Sequence, residues 1–462
     1  MKRRDFGLLA GTSLAAAAVA RPANAQSAAP NPELLKTTLT PMGAERAGNA
    51  DGSIPAWTGG LVSPPLPPGQ PTQVHLFEDE QPLYEVNSSN MDQYADLLME
   101  GTKAQIRKFG LVLKVYKTHR TAAAPQYVYD NTYKNVTRAQ LDPRGGRFGF
   151  TGAVGGPPFP IINTADPLVG GAQLIWNKLT SWNVYADRSV CNPGCVVIDG
   201  QVTLVAATRG YFIYPYYAPD VTPENYGGYY SKLHIWDIAP GSVVGQETLV
   251  WHSTNVNIHP DITWSLLNGQ GRVRKDPNEA YDDPNPEGDG IDSIDESQGG
   301  FYGNPSQYNW RFIAKKEMLV PYNCNKIQFT NAQTLLKPHF PDPEIIRWEK
   351  HRIWIVEATL APGNRNVNAK RRLYFDEDTW TGMGGEGYDA NGNMAKAYTL
   401  YTACYPSWPS TCEVAEMIID INTGNYVFDG DLGWGDRQEN FYVEVPSASE
   451  FEPQEMAAKA AF

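Results

Sequence analysis

Beyond its first twenty-five residues the chain has no stretch approaching the ~20 consecutive apolar residues of a membrane-spanning helix, so it is not expected to span a membrane. Positive charge is also short, with 38 Lys and Arg against 51 Asp and Glu and a net charge of −13. That balance, with a pI near 5.1, argues against nucleic acid or an anionic lipid surface as the main partner and fits a neutral or apolar ligand better. Histidine is sparse and scattered, seven residues in all, and the closest pair, His252 and His259, has no zinc-ligand spacing. No Gly-x-Ser-x-Gly elbow, P-loop or dinucleotide fingerprint occurs. These absences leave no catalytic residue, metal or cofactor to assign, and the reading leans away from an enzyme.

Cysteine is limited to five residues, the first at Cys191, so none stands where a lipoprotein anchor would follow a leader. Cys191 and Cys195 enclose Asn-Pro-Gly, and Cys404 and Cys412 bracket a seven-residue Pro-containing segment. In an exported protein each pair is expected to close a local disulfide, leaving Cys324 odd.

What is present begins with an export signal. Lys2-Arg3-Arg4-Asp5-Phe6, the apolar run Gly7–Val19 and Ala23-Asn24-Ala25 are the three parts of a secretory leader, with cleavage expected after Ala25. The Arg-Arg-x-Phe order is read by the twin-arginine pathway, with the Sec route left open. The mature chain is therefore expected in the periplasm.

Three segments follow: residues 1–25 as signal peptide, 26–75 as an extended Pro- and Gly-rich surface arm, and 76–462 as a single β-rich domain with insertions. Helical spacing predicts helices over Met91–Phe109 and Gly171–Trp182. From Val196 onward, strand patterns separated by turns such as Ala239-Pro240-Gly241, Asn268-Gly269 and Asn422-Thr423-Gly424 predict a mainly antiparallel sheet, an α+β fold. A sheet this long must curl or close to bury its inner face, around either a solid core or a hollow.

Aromatic residues are abundant, with 25 Tyr and 12 Trp. Such side chains bury much area and keep a polar tip, so they suit sheet cores and ligand cavities alike. Tyr214, Trp236, Trp251, Trp264, Trp354 and Tyr374 are the candidates for a cavity lining. Arg272 and Arg274, two apart on a strand, share a face and are candidates for an anionic group or a partner. The acidic stretch Asp276–Glu296 fails the spacing of a calcium loop and is expected to be solvated.

Several stretches together resemble one bacterial family, domain of unknown function 1329. They are Leu39–Gly60, Gly269–Arg274, Tyr308–Arg311 with Lys315–Met318 and Pro321–Asn323, and Trp348–Trp354 with Lys370–Arg372, in order along nearly the whole mature chain. The resemblance implies a curled antiparallel half-barrel, like the lipoprotein carriers LolA and LolB, closed by helices around an apolar cavity. It also implies a periplasmic carrier for a hydrophobic or amphipathic molecule, working beside an exporter of the resistance-nodulation-division class or an outer-membrane protein. The alternative reading is an exported hydrolase acting on glycans or other envelope polymers through a carboxylate pair in an aromatic cleft.

Overall fold

A computed structural model describes residues 30–67, 70–267, 269, 271–276, 283–285, 288–434, 441–442 and 445–459. The expected signal peptide lies outside the described residues, as do Asn268 of one predicted turn and the acidic residues Asp282 and Glu287.

The strands are β1 (Tyr84–Val86), β2 (Leu113–Val115), β3 (Gln140–Leu141), β4 (Phe150–Thr151), β5 (Ala186–Ile198), β6 (Gln201–Ile213), β7 (Tyr229–Ala239), β8 (Glu247–Ser253) and β9 (Ile262–Leu266). They continue with β10 (Arg274–Asp276), β11 (Tyr308–Pro321), β12 (Trp348–Leu360), β13 (Lys370–Asp376), β14 (Gly382–Tyr388), β15 (Met394–Tyr405), β16 (Ser410–Asp420), β17 (Tyr426–Gly430) and β18 (Phe441–Tyr442). The helices are α1 (Glu100–Phe109), α2 (Gln126–Arg138), α3 (Pro167–Leu179), α4 (Ala332–Leu335) and α5 (Pro453–Lys459).

Sixteen strands form one sheet, running β1-β2-β12-β13-β14-β15-β16-β17-β5-β6-β7-β8-β9-β10, with β11 on the other side of β12 and β18 beside β5. Pairing is antiparallel except where Trp348 of β12 lies beside Val115 of β2. Among the described residues the two ends of the sheet do not meet, so it is a curled half-barrel and not a closed one. The chain returns from β17 to pair with β5, Phe428 opposite Cys195, which joins the C-terminal hairpins to the middle of the sheet.

Both faces are covered, and the two-residue period of the strands sorts side chains between them. In β12, Trp354, Val356 and Ala358 join the core that contains α3. Ile353 and Ile355 point the other way, to Met99, Met318 and Tyr374. The second face also packs Ile106 of α1 and Leu335 of α4 against β15 and β16. Helix α3 starts where Asp166 accepts the amides of Leu168 and Val169, with Pro167 at the first position. It lies close on β11 because Gly171 has no side chain: a Cβ there would stand 2.5 Å from the backbone of Trp310 and Arg311.

The predicted arm is partly an inserted segment. Met42, Ala44 and Ile54 are buried, and the Trp380 indole donates to the Met42 carbonyl at 2.9 Å. Asn49 donates to the Glu317 carboxylate at 3.0 Å.

The expected disulfides are not formed: all five cysteines are buried thiols. Cys191-Asn-Pro-Gly-Cys195 does not turn back; it lies within β5, paired with β6 through Asn192 and Gly194. Extended backbone holds residues four apart beyond the ~7 Å Cα separation that a bridge tolerates. Cys404 and Cys412 are in adjacent strands, but Cys404 pairs with Thr411 and Cys412 with Ala403. That one-residue offset puts the two sulfurs on opposite faces of the hairpin.

Candidate functional site

The last turn of α3 ends over the inner face of the sheet, where β5, β6, β7, β16 and β17 meet, and leaves a cavity of about 280 Å³. Its wall is divided. Leu179, Phe212, Tyr214, Leu233, Ile235 and Phe301 supply apolar surface, while Lys178, Asp187, His252, Glu413, Glu416 and Asp431 supply charge or hydrogen bonds. Gln298, Phe301 and Tyr302 of the loop Gln298–Tyr302 also line the cavity. That loop is clasped by ionisable side chains: Lys178 Nζ donates to the carbonyls of Gln298 and Phe301, both at 2.7 Å. Glu416 accepts the amides of Gln298 at 2.7 Å and Gly299 at 3.1 Å.

Burial governs the electrostatics. It lowers the Lys178 ammonium below its usual range, against the pull of Glu413 and Glu416. It raises Glu413 well up, with Glu416 adding to the rise, and it raises Glu416 as well. Asp187 is pushed well up by burial and then by the neighbouring Asp431, which is itself raised by burial. The acids of the cavity are thus biased toward their protonated, neutral forms. His252 is biased to neutrality from the other side, brought down to about 3 by burial and by Lys178. Its ring stacks on Tyr230 at 5.7 Å and meets the edge of Tyr302 at 4.6 Å, and neither ring nitrogen has a hydrogen-bond partner.

Of the aromatic candidates only Tyr214 lines this cavity. Trp251 and Trp264 meet edge to face at 5.2 Å under the C-terminal segment, in a cluster with Phe451 and Met456 of α5. Trp236 lies against Tyr211 and under Arg209. Trp354 is core, stacked with Trp380 at 6.2 Å, and Tyr374 is on the opposite face of the sheet, donating to Glu386 at 3.2 Å. Arg272 and Arg274 are both exposed at the β10 edge, away from the cavity.

Asp283 and Asp289 of the acidic stretch are exposed, as a solvated loop would have them, but its C-terminal end is not. Asp292, Asp295 and Glu296 are buried, because cations and donors of the sheet reach them. Arg371 donates to the Asp295 carbonyl at 2.9 Å and to its carboxylate, and Glu296 takes Lys396 Nζ and the Tyr398 hydroxyl at 2.6 Å. A second buried cluster, His351, Asp376 and Asp378, brings three potential ligand atoms within 4.8 Å. Both Asp378 oxygens are occupied by Arg120, at 2.8 and 2.6 Å, and Asp376 Oδ2 accepts Tyr322 and Thr379. With a guanidinium already in place, this set is an ion-pair network and not a metal centre.

The cavity groups Lys178, Asp187, Glu413 and Glu416 were not singled out from the sequence, and His252 entered only as half of a pair without zinc-ligand spacing. A signal existed in Cys412-Glu-Val-Ala-Glu-Met-Ile-Ile, where two acids interrupt an otherwise apolar strand.

An open, curled antiparallel sheet with helices on both faces and a cavity against its inner face defines a curled half-barrel. The chain belongs to the family described as "Protein of unknown function (DUF1329)", whose profile matches residues 85–457. It is 32% identical over 423 residues to an uncharacterized protein of Pseudomonas aeruginosa, covering 90% of each chain. Among solved structures it is similar to a DUF1329 family protein from Desulfovibrio piger, at 13% identity and TM-score 0.42, over 63% of this chain and 99% of that one. It is also similar to a LolA superfamily protein from Nitrosomonas europaea, at 9% identity and TM-score 0.32, over 57% of this chain and 89% of that one.

Proposed function

We propose that this chain is a periplasmic binding and carrier protein for a small amphipathic molecule. The observation that carries the reading is the divided cavity of about 280 Å³ on the inner face of the sheet, near the lower end of the ~300–1,000 Å³ typical of small-molecule sites. Its apolar wall would hold a hydrocarbon body, and its buried polar groups would orient one end. The twin-arginine leader supports export, and among the described residues no helix is long and apolar enough to cross a membrane. The same proposal takes residues 1–25 as a leader, 26–75 as an N-terminal arm and 76–462 as the carrier body. An exporter or outer-membrane partner rests on the family resemblance alone.

The test is to purify the protein from the periplasm without detergent, extract it with organic solvent and analyse the extract by mass spectrometry. An amphiphile is expected in near-stoichiometric amount. An extract indistinguishable from that of an unrelated periplasmic protein, together with no binding of added amphiphiles, overturns the proposal.

One observation favours the hydrolase reading instead: Asp187 and Asp431 both line the cavity, and burial, with Asp431 beside it, raises Asp187 toward its protonated form, as the general acid of such a pair requires. In that case the chain cleaves a chromogenic glycoside and Asp187→Asn loses most of the turnover. Absence of turnover on a panel of such substrates removes this reading.

A further inference from the structure

Strand β7 gives Leu233 and Ile235 to the cavity, so His234 between them points to the opposite face of the sheet. There it is fully buried and caught between two elements. Its Nε2 lies 2.9 Å from the Glu247 carboxylate of β8. Its Nδ1 lies 4.0 Å from the Glu450 carboxylate of the C-terminal segment and has no hydrogen-bond partner. The segment covers this face: Phe451 and Met456 pack on Leu249, Leu266, Trp251 and Trp264, and the Trp251 indole donates to the Phe451 carbonyl at 3.0 Å.

We propose that His234 makes the C-terminal segment an acid-tightened latch, tying Glu247 of β8 to Glu450 of the segment when protonated and holding Glu247 alone when neutral. A carboxylate only accepts, so the N–H of a neutral imidazole belongs at Nε2, facing Glu247. That leaves the Nδ1 lone pair turned toward a second set of lone pairs on Glu450. Protonation puts a donor at Nδ1 and converts the repulsion into a charge-assisted hydrogen bond, with a small rotation of the Glu450 side chain, 21% exposed, closing the gap. Burying an imidazolium costs free energy unless it is paired, and here two carboxylates pair it. Histidine is the residue type whose charge ordinarily changes between pH 5 and 8.

The other ionisable groups packed around the ring are few. Tyr211 of β6 stands opposite His234 in the register. Lys232 of β7 lies over the Trp251 ring at 3.5 Å, with its ammonium lowered by burial and raised by Glu452 of the segment. Arg209 of β6 covers Trp236 at 5.1 Å. All of these stay in place in the variants below, so their own titration drops out of the comparison. The latch does not rest on the carrier reading.

The test is hydrogen–deuterium exchange of the purified protein between pH 5.5 and 8, corrected for the intrinsic pH dependence of exchange. Protection of residues 445–459 is expected to fall at least roughly tenfold as the pH rises, the low end for a hydrogen bond to a charged group. Glu450→Gln removes the carboxylate at a partly exposed position and is expected to flatten that dependence. His234→Gln keeps a donor for Glu247, takes up no proton and is expected to show the low protection of the parent protein at pH 8 throughout; if it fails to fold, Glu450→Gln decides alone. Protection that is constant or rises with pH in the parent protein overturns the latch. So does a fall that persists in Glu450→Gln, or one matched in β15 and β16, which would report global unfolding.

Discussion

Replacing Arg371 with Leu is expected to lower unfolding stability by about 3–5 kcal/mol, the range for stranding a buried charge partner. Arg371 is fully buried in β13 and bonded to the carbonyl and carboxylate of Asp295. It also lies over the rings of Phe301 and Tyr308, at 5.6 and 5.4 Å. Burial pushes the Glu296 carboxyl up, but Lys396 and Arg371 more than offset it and hold the group at about 2. Removing the guanidinium therefore leaves Asp295 unpaired and Glu296 with half of its counter-charge. The segment they anchor continues directly into the Gln298–Tyr302 loop of the cavity, so protease sensitivity around residues 291–302 is expected to rise with the loss of stability. Urea unfolding measures the first effect and limited proteolysis the second. A midpoint unchanged from the parent protein would show that Arg371 fills space without compensating charge.

The second large effect depends on pH. Glu386 is buried in β14, accepts the Gly101 amide at 2.9 Å and takes the Tyr374 hydroxyl at 3.2 Å. Burial raises its carboxyl from the ordinary 4.5 to about 7, although the Gly101 amide and Arg372 oppose the rise. Between those values the folded chain holds a proton that the unfolded chain releases. The stabilisation is complete below about pH 4.5 and is lost as the pH rises through about 7. Glu386→Gln is neutral at every pH, so it is expected to match the parent at pH 4 and to exceed it at pH 8 by up to roughly 3 kcal/mol. The difference between the two proteins isolates this group from the other titrating acids. A gap that does not change with pH counts against the assignment.

Most of the sheet was legible because its strands alternate or carry dense β-branched and aromatic runs. Glu247–Ser253 and Lys370–Asp376 are strands of this kind. Strand β14, Gly-Met-Gly-Gly-Glu-Gly-Tyr, was not legible, since glycine ordinarily marks turns. It is a strand because its neighbours press close: a Cβ on Gly384 would stand 2.6 Å from Met99 Sδ, and one on Gly385 2.7 Å from the Arg372 carbonyl. The helix expected over Met91–Phe109 breaks into a 3-10 turn, Met91–Leu97, and α1, with Leu98 and Met99 extended between them. Helix α2 was missed because Gln126–Arg138 is largely polar and its buried stripe includes Asn131, Thr132 and Asn135. The site was least legible. An apolar, Trp-lined hollow was expected, but tryptophan serves as core on both faces of the sheet. The cavity instead gathers ionisable residues from α3, β5 and β16, which are distant in sequence and made neighbours by the pairing of β17 with β5.

An open sheet also has a cost that a closed barrel avoids, since each free edge presents unpaired backbone groups to which another strand can add. One edge here is β10, only three residues long, with Arg274 and Lys275 exposed beside it. Another, among the described residues, is β11, which is bulged between Phe312 and Ala314 and carries exposed Arg311 and Lys316. Short length, like charge and a local twist are the devices that oppose edge-to-edge addition. They let a half-barrel stay open without becoming a template for fibrils of its own kind.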